Sequence, residues 1–138
     1  MSSEERRAID LLTRVSYGRL ATSRRAMPFV APARHIVADG RVLLRLHRGF
    51  DCHRAGDGSV VAYGADNLNS GAPALWSVQF TGTARTVDVT DEQLALFGPR
   101  PHRIDGQDFD PVYLRVDPRF VTVHTIDHLE EPPARHTA

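Results

Sequence analysis

Arg45 and His47 lie two residues apart in the tract Arg41-Val42-Leu43-Leu44-Arg45-Leu46-His47. In an extended strand both share one face with Leu43, while Val42, Leu44 and Leu46 take the other. A guanidinium and an imidazole side by side can meet an anionic ligand together; the alternative is that Arg45 pairs with a nearby carboxylate such as Asp51. His47, Cys52 and His53 are metal-ligand types, but three donors without a fixed fourth make no tetrahedral site, so no metal is expected. Cys52 as a nucleophile needs a depressed pKa, which His53 and Arg54 favour and Asp51 opposes, so a bystander thiol is the expectation. All seventeen basic residues are arginine, which removes Schiff-base chemistry and any phosphate-loop lysine. Hydrolase chemistry finds no support either: no Gly-x-Ser-x-Gly elbow occurs, and the adjacent acids Glu130 and Glu131 lie near the end of the chain. His35, His102, His124, His128 and His136 have no spacing that suggests a relay.

The elements that would position these groups follow from local patterns. Ser2 with Glu5 has capping-box spacing, and Ala8, Ile9, Leu12 and Val15 then recur at helical intervals, so a helix is predicted over 3–16. From Gly18-Arg19-Leu20-Ala21-Thr22 the period becomes two, and Ser23 to Ala26 turns the chain into a strand from Pro28 to about Val37. Pro28 and Pro32 cannot donate to a ladder, which places that strand at an edge or a bulge. Asp39-Gly40 is a hairpin turn launching the Arg45 strand. Ser59 to Tyr63 predicts a fourth strand, and Trp76-Ser77-Val78-Gln79-Phe80-Thr81-Gly82 a fifth that continues to Val89 past a bulge or a close backbone approach at Gly82. Thr90 and Gln93 cap a helix of about two turns stopped by Gly98-Pro99. Residues 100–110 are expected as loop, Pro111 to Val116 and Phe120 to Ile126 as a last hairpin, and 127–138 as a mobile tail.

Six or seven antiparallel strands with two short helices bury their edges most economically by closing, so a mainly β, small antiparallel barrel in one domain over 1–126 is expected, with a sandwich as the rival. Seventeen basic and seventeen acidic residues cancel, leaving no field to draw in nucleic acid or an anionic membrane. No apolar run approaches the roughly 20 residues of a membrane span, no secretory pattern opens the chain, and one cysteine suits a reducing compartment, so a cytoplasmic protein is expected.

In this order the tracts Gly18 to Ala21, Pro28-Phe29-Val30-Ala31-Pro32, the Arg45 strand and Trp76 to Ala84 resemble those of the pyridoxamine 5'-phosphate oxidase-like family of flavin-binding split barrels, over roughly residues 8 to 126. The resemblance implies a homodimer that binds FMN at the subunit seam and acts as an oxidoreductase on a small molecule. Carried over by position, it puts Pro32, Ala33 and Arg34 along the ring and Arg45, Leu46 and His47 near ring and ribityl chain. Trp76 and Ser77 would reach in from the neighbouring subunit, though Trp76 equally suits a barrel or dimer core. The departure lies after the third strand, where members that hold flavin carry a Gly-Ser-Lys-like phosphate loop. This chain has His47-Arg48-Gly49-Phe50-Asp51-Cys52-His53-Arg54, with Asp51 near the lysine position. Arg48 or Arg54 is then expected to take the phosphate. The alternatives are a deazaflavin cofactor, or a dimeric barrel that has lost redox function and binds another small ligand; a heme reading is a distant third.

Overall fold

The computed structural model describes residues 2–128. The first helix, α1 (Ser3–Leu12), opens with the Ser2 hydroxyl accepting from the Glu5 N–H at 3.1 Å. It stops a turn earlier than the apolar spacing predicts. The reason lies with His35 on a following strand: the Leu12 carbonyl accepts from its imidazole at 2.9 Å, and the Ser16 carbonyl from its backbone N–H at 3.0 Å.

Six strands close into an antiparallel barrel in the order β1 (Tyr17–Arg24), β2 (Met27–Ala38), β3 (Arg41–His47), β8 (Pro111–Asp127), β5 (Ala74–Thr86) and β4 (Val60–Asp66). Between β3 and β4 run a 3-10 turn (Arg48–Phe50) and a short helix, α2 (Cys52–Gly56). After β5 comes α3 (Asp91–Phe97), with both halves of its capping box formed between Thr90 and Gln93. Among the described residues, no helix is long and apolar enough to cross a membrane.

The alternation read from the sequence sets the interior. Leu20, Val42, Leu44, Leu46, Val61, Tyr63, Trp76, Val78, Phe80, Val112, Leu114 and Val116 fill the barrel with α1's Leu11 and Leu12 at one end. Each large side chain contributes about 1.5–3 kcal/mol on burial. A second cluster lies outside the barrel, where Phe97 of α3 packs on Ile36 and Leu43. The face of β3 bearing Leu43, Arg45 and His47 is therefore covered as well.

Two expectations for the C-terminal third are corrected. Instead of a hairpin over 111–126 there is one 17-residue strand, β8, which pairs with β3 through 111–116 and with β5 through 114–127. Asp117-Pro118 reads as a turn, but Gly82 lies opposite Pro118, where a Cβ would come within 1.9 Å of the Asp117 carbonyl. The glycine admits the backbone, the register shifts there, and the strand passes through the bulge. Within the expected loop, β6 (Arg103–Ile104) and β7 (Gln107–Asp108) form a small hairpin. Asp127 still pairs with Ala74 and His128 donates to the Pro73 carbonyl at 2.9 Å; the rest of the expected tail, 129–138, lies outside the described residues.

Candidate functional site

The barrel is split along β2. This strand pairs with β1 from Met27 to Arg34 but with β3 only from Arg34 onward, so its 27–33 edge has no partner strand. Pro28 and Pro32 lie on that stretch, where a missing N–H costs no ladder bond. The chain leaving β3 comes alongside through Arg48–Phe50, and residues 98–110 fold back over the outer face of β3 as a strap.

Between these parts is an open cleft. It brings together six of the ten residues expected at a cofactor site: Pro32, Ala33, Arg34, Arg45, Leu46 and His47. The others lining it, Tyr17, Phe50, Pro101, Ile104 and Phe109, were not singled out by the sequence. The lining is mostly flat and apolar, and it has cations on one flank.

Those cations are engaged differently from the sequence expectation. Arg45 is 5% exposed; its guanidinium donates to the Gly98 carbonyl at 3.0 Å and lies 4.9 Å from the Phe97 ring centroid and 5.8 Å from that of Tyr113. It therefore fastens the start of the strap, and Asp51 is not its partner. His47 fastens the other end: its Nδ1 accepts from the Asp110 N–H at 3.1 Å, Nε2 lies 3.4 Å from the Gln107 side-chain oxygen, and the ring stacks on Phe109. With Nδ1 accepting, a neutral His47 carries its proton on Nε2. Arg34 is half-buried and donates to the carbonyls of His35, Ser16 and Leu96, and among the described residues it has no carboxylate partner.

Of the other four expected residues, Arg48 and Arg54 lie outside the cleft, and Trp76 and Ser77, expected there from a neighbouring subunit, lie away from the cleft of their own chain. Arg48 is drawn to Asp110 at 3.5 Å and Arg54 to Asp51 at 3.4 Å, both on the surface. Trp76 is inside the barrel, its backbone N–H donating to Asn67 Oδ1 at 2.7 Å, and Ser77 faces outward between Asp66 and His124. His47, Cys52 and His53 do not converge, and no group of three or more such donors stands together among the described residues. Burial pushes the Cys52 thiol up, and burial followed by the Arg48 charge pushes His53 down, so both are neutral near pH 7.

Beyond Phe50, which borders both, a second cleft continues along β1 and β2 between Thr22, Arg24, Phe29, Asp51, Cys52 and Ala55. Asp51 takes a left-handed backbone (φ 62°) and its carboxylate accepts from Arg24 at 2.5 Å, which holds its pKa below the usual carboxylate value.

The family model for pyridoxamine 5'-phosphate oxidase matches residues 4–125. The chain belongs to the pyridoxamine 5'-phosphate oxidase-like family. The Mycobacterium tuberculosis protein Rv0080 is 36% identical over 121 residues, covering 83% of this chain and 78% of its own. Among solved structures, an FAD binding protein from Mycobacterium smegmatis superposes with a TM-score of 0.68 at 24% identity, over 91% of this chain and 98% of that one. A Corynebacterium glutamicum protein carrying the pyridoxamine 5'-phosphate oxidase name gives 0.69 at 25% identity, over 92% of both chains. The barrel described above is thus the family's fold. The strap residues of this family member, Pro101, Ile104 and Phe109, carried one signal in the sequence: apolar side chains spaced through an otherwise polar stretch.

Proposed function

We propose that this chain is a flavin-dependent oxidoreductase that holds FMN with its ring in the cleft between the open β2 edge and the strap. The observation that carries this reading is the chemistry of that cleft. A flavin ring needs flat apolar walls and a donor group near its pyrimidine edge, where negative charge builds on reduction. Pro32, Ala33, Phe50 and Phe109 supply the walls, and Arg34 is a cation without a carboxylate partner among the described residues. When bound, the flavin supplies two-electron redox chemistry toward a small-molecule substrate; the protein orients it, and the strap keeps water from one face.

The same reading takes the protein as a homodimer. Met27, Phe29 and Val30 stand exposed at 62%, 46% and 64% along a stretch of β2 edge that no strand covers among the described residues, and a second copy is the partner that would cover it. Its lone cysteine, free and buried, suits the reducing cytoplasm.

The test is a titration of purified protein, freed of any bound flavin, with FMN while following flavin fluorescence. Saturable quenching at micromolar protein supports the reading; unquenched fluorescence through 100-fold excess protein ends it. A second reading, in which the barrel binds a deazaflavin or serves as a binding module without catalysis, is favoured by one observation: Asp51 stands where the phosphate loop's lysine is expected, and its negative charge holds Arg24 and Arg54. The same titration with a deazaflavin, and an assay for NAD(P)H-driven turnover, separates the two.

A further inference from the structure

The second cleft, beyond Phe50, has features the flavin ring does not use. The Thr22 hydroxyl lines it at 3% exposure and, apart from the weak Cys52 thiol beside it, has no polar partner among the described residues. Arg24 stands at its mouth, its guanidinium 6.0 Å from the Phe29 ring centroid. An anion already sits on that guanidinium: one oxygen of Asp51 is 2.5 Å from Arg24 Nη2, and the other is 3.4 Å from Arg54 Nε. Asp51 is held there on a left-handed backbone. With Arg24 and Arg54 both on the Asp51 carboxylate, this end of the groove carries more positive than negative charge.

We propose that Arg24 and the Thr22 hydroxyl form the seat for a phosphate monoester, the terminal phosphate of the bound flavin, and that Asp51 occupies this seat until the phosphate displaces it. The inference rests on the flavin reading above and assigns residues to the phosphate that the sequence did not suggest. Geometry links the two ends: Pro32 in the ring cleft and Phe29 in the second cleft are three residues apart on β2, about 10 Å at strand rise, with Phe50 between them. A planar fork such as Arg24 can take two phosphate oxygens in place of two carboxylate contacts. The buried hydroxyl then gains the acceptor it lacks.

Paired titrations with FMN and riboflavin test this, because the two ligands share a ring and ribityl chain and differ in the phosphate. FMN should bind about tenfold more tightly than riboflavin to the native protein, the size expected of a charge-assisted contact. Arg24→Gln should abolish that preference while leaving riboflavin unchanged, and Thr22→Val should reduce it. Arg24 is half-exposed, so its loss spares the core. Asp51→Asn removes the competing charge and keeps a residue that tolerates the left-handed backbone; it should tighten FMN severalfold and leave riboflavin within about twofold. Inorganic phosphate should compete with FMN and not with riboflavin. Equal affinities for the two flavins in the native protein, or weaker FMN binding by Asp51→Asn, would overturn the inference and spare the flavin reading. Binding of neither flavin would overturn both.

Discussion

Replacing Arg45 with alanine should loosen the strap rather than merely remove a charge from a ligand site. Arg45 is 5% exposed, and its substitution deletes a charged donor to the Gly98 carbonyl together with contacts to the Phe97 and Tyr113 rings. A hydrogen bond from a charged group contributes about 1.5–3 kcal/mol. A desolvated cation–ring contact contributes about 0.5–2 kcal/mol. These overlap at one guanidinium, so a combined loss of about 3 kcal/mol is expected, concentrated where the strap begins. At 1.4 kcal/mol per decade, local opening of the strap rises about 100-fold. Trypsin reads this directly, because Arg103–Ile104 is the strap's susceptible bond; Arg100 precedes a proline. Under conditions where opening and closing outpace cleavage, the cut at Arg103 should accelerate by about that factor. Arg85→Ala, on the exposed end of β5, should cut at the native rate and shift stability by less than about 0.5 kcal/mol. FMN affinity should fall further in Arg45→Ala than in Arg85→Ala. A native cleavage rate in Arg45→Ala would refute the assignment of Arg45 to the strap.

Three other outcomes are expected. Gly82→Ala drives a Cβ to within 1.9 Å of the Asp117 carbonyl, so urea unfolding should show a loss of at least about 2 kcal/mol, and an unchanged midpoint contradicts the bulge geometry. His35 is 2% exposed and burial pushes its pKa below 6.5, so the unfolded chain takes up the proton first; stability should hold above pH 6.5 and fall as pH drops from there through the lower folded value. Urea midpoints that match at pH 7.5 and pH 5.5 would reject that role, and His35→Asn should flatten the slope. Val30→Asp on the open β2 edge should convert a sedimenting dimer into a monomer at the same concentration, whereas a native protein that already sediments as a monomer contradicts the proposed seam.

What the sequence showed plainly were features determined within a few residues. Asp39-Gly40 takes positive φ at both positions, and β3 follows with the expected bounds Arg41–His47. Thr90 and Gln93 form the box their spacing promised. Features decided by distant partners were misread or missed. Asp117-Pro118 looks like a turn until Gly82, thirty-odd residues upstream, is seen to admit its backbone. The alternation in β3 correctly grouped Arg45 with His47, but alternation cannot tell whether an outward face meets solvent, ligand or a returning strap. The Pro32–Arg34 stretch was placed at the cleft by the family pattern, and its partner walls, Phe50 and Phe109, were not, because nothing in their neighbours brings them there. Thr22 looked like an ordinary alternating strand residue; only its burial beside Arg24 and Asp51 gives it chemistry.

The central claim is that the cleft at the split of the barrel holds a flavin ring. A crystal structure of the protein saturated with FMN tests it most directly. The ring is expected against Pro32, Ala33 and Arg34, between Phe50 and Phe109. A fully soaked crystal with no flavin in that cleft, or with the ring in the separate groove beside Ser16, Val37 and Leu96, would contradict it.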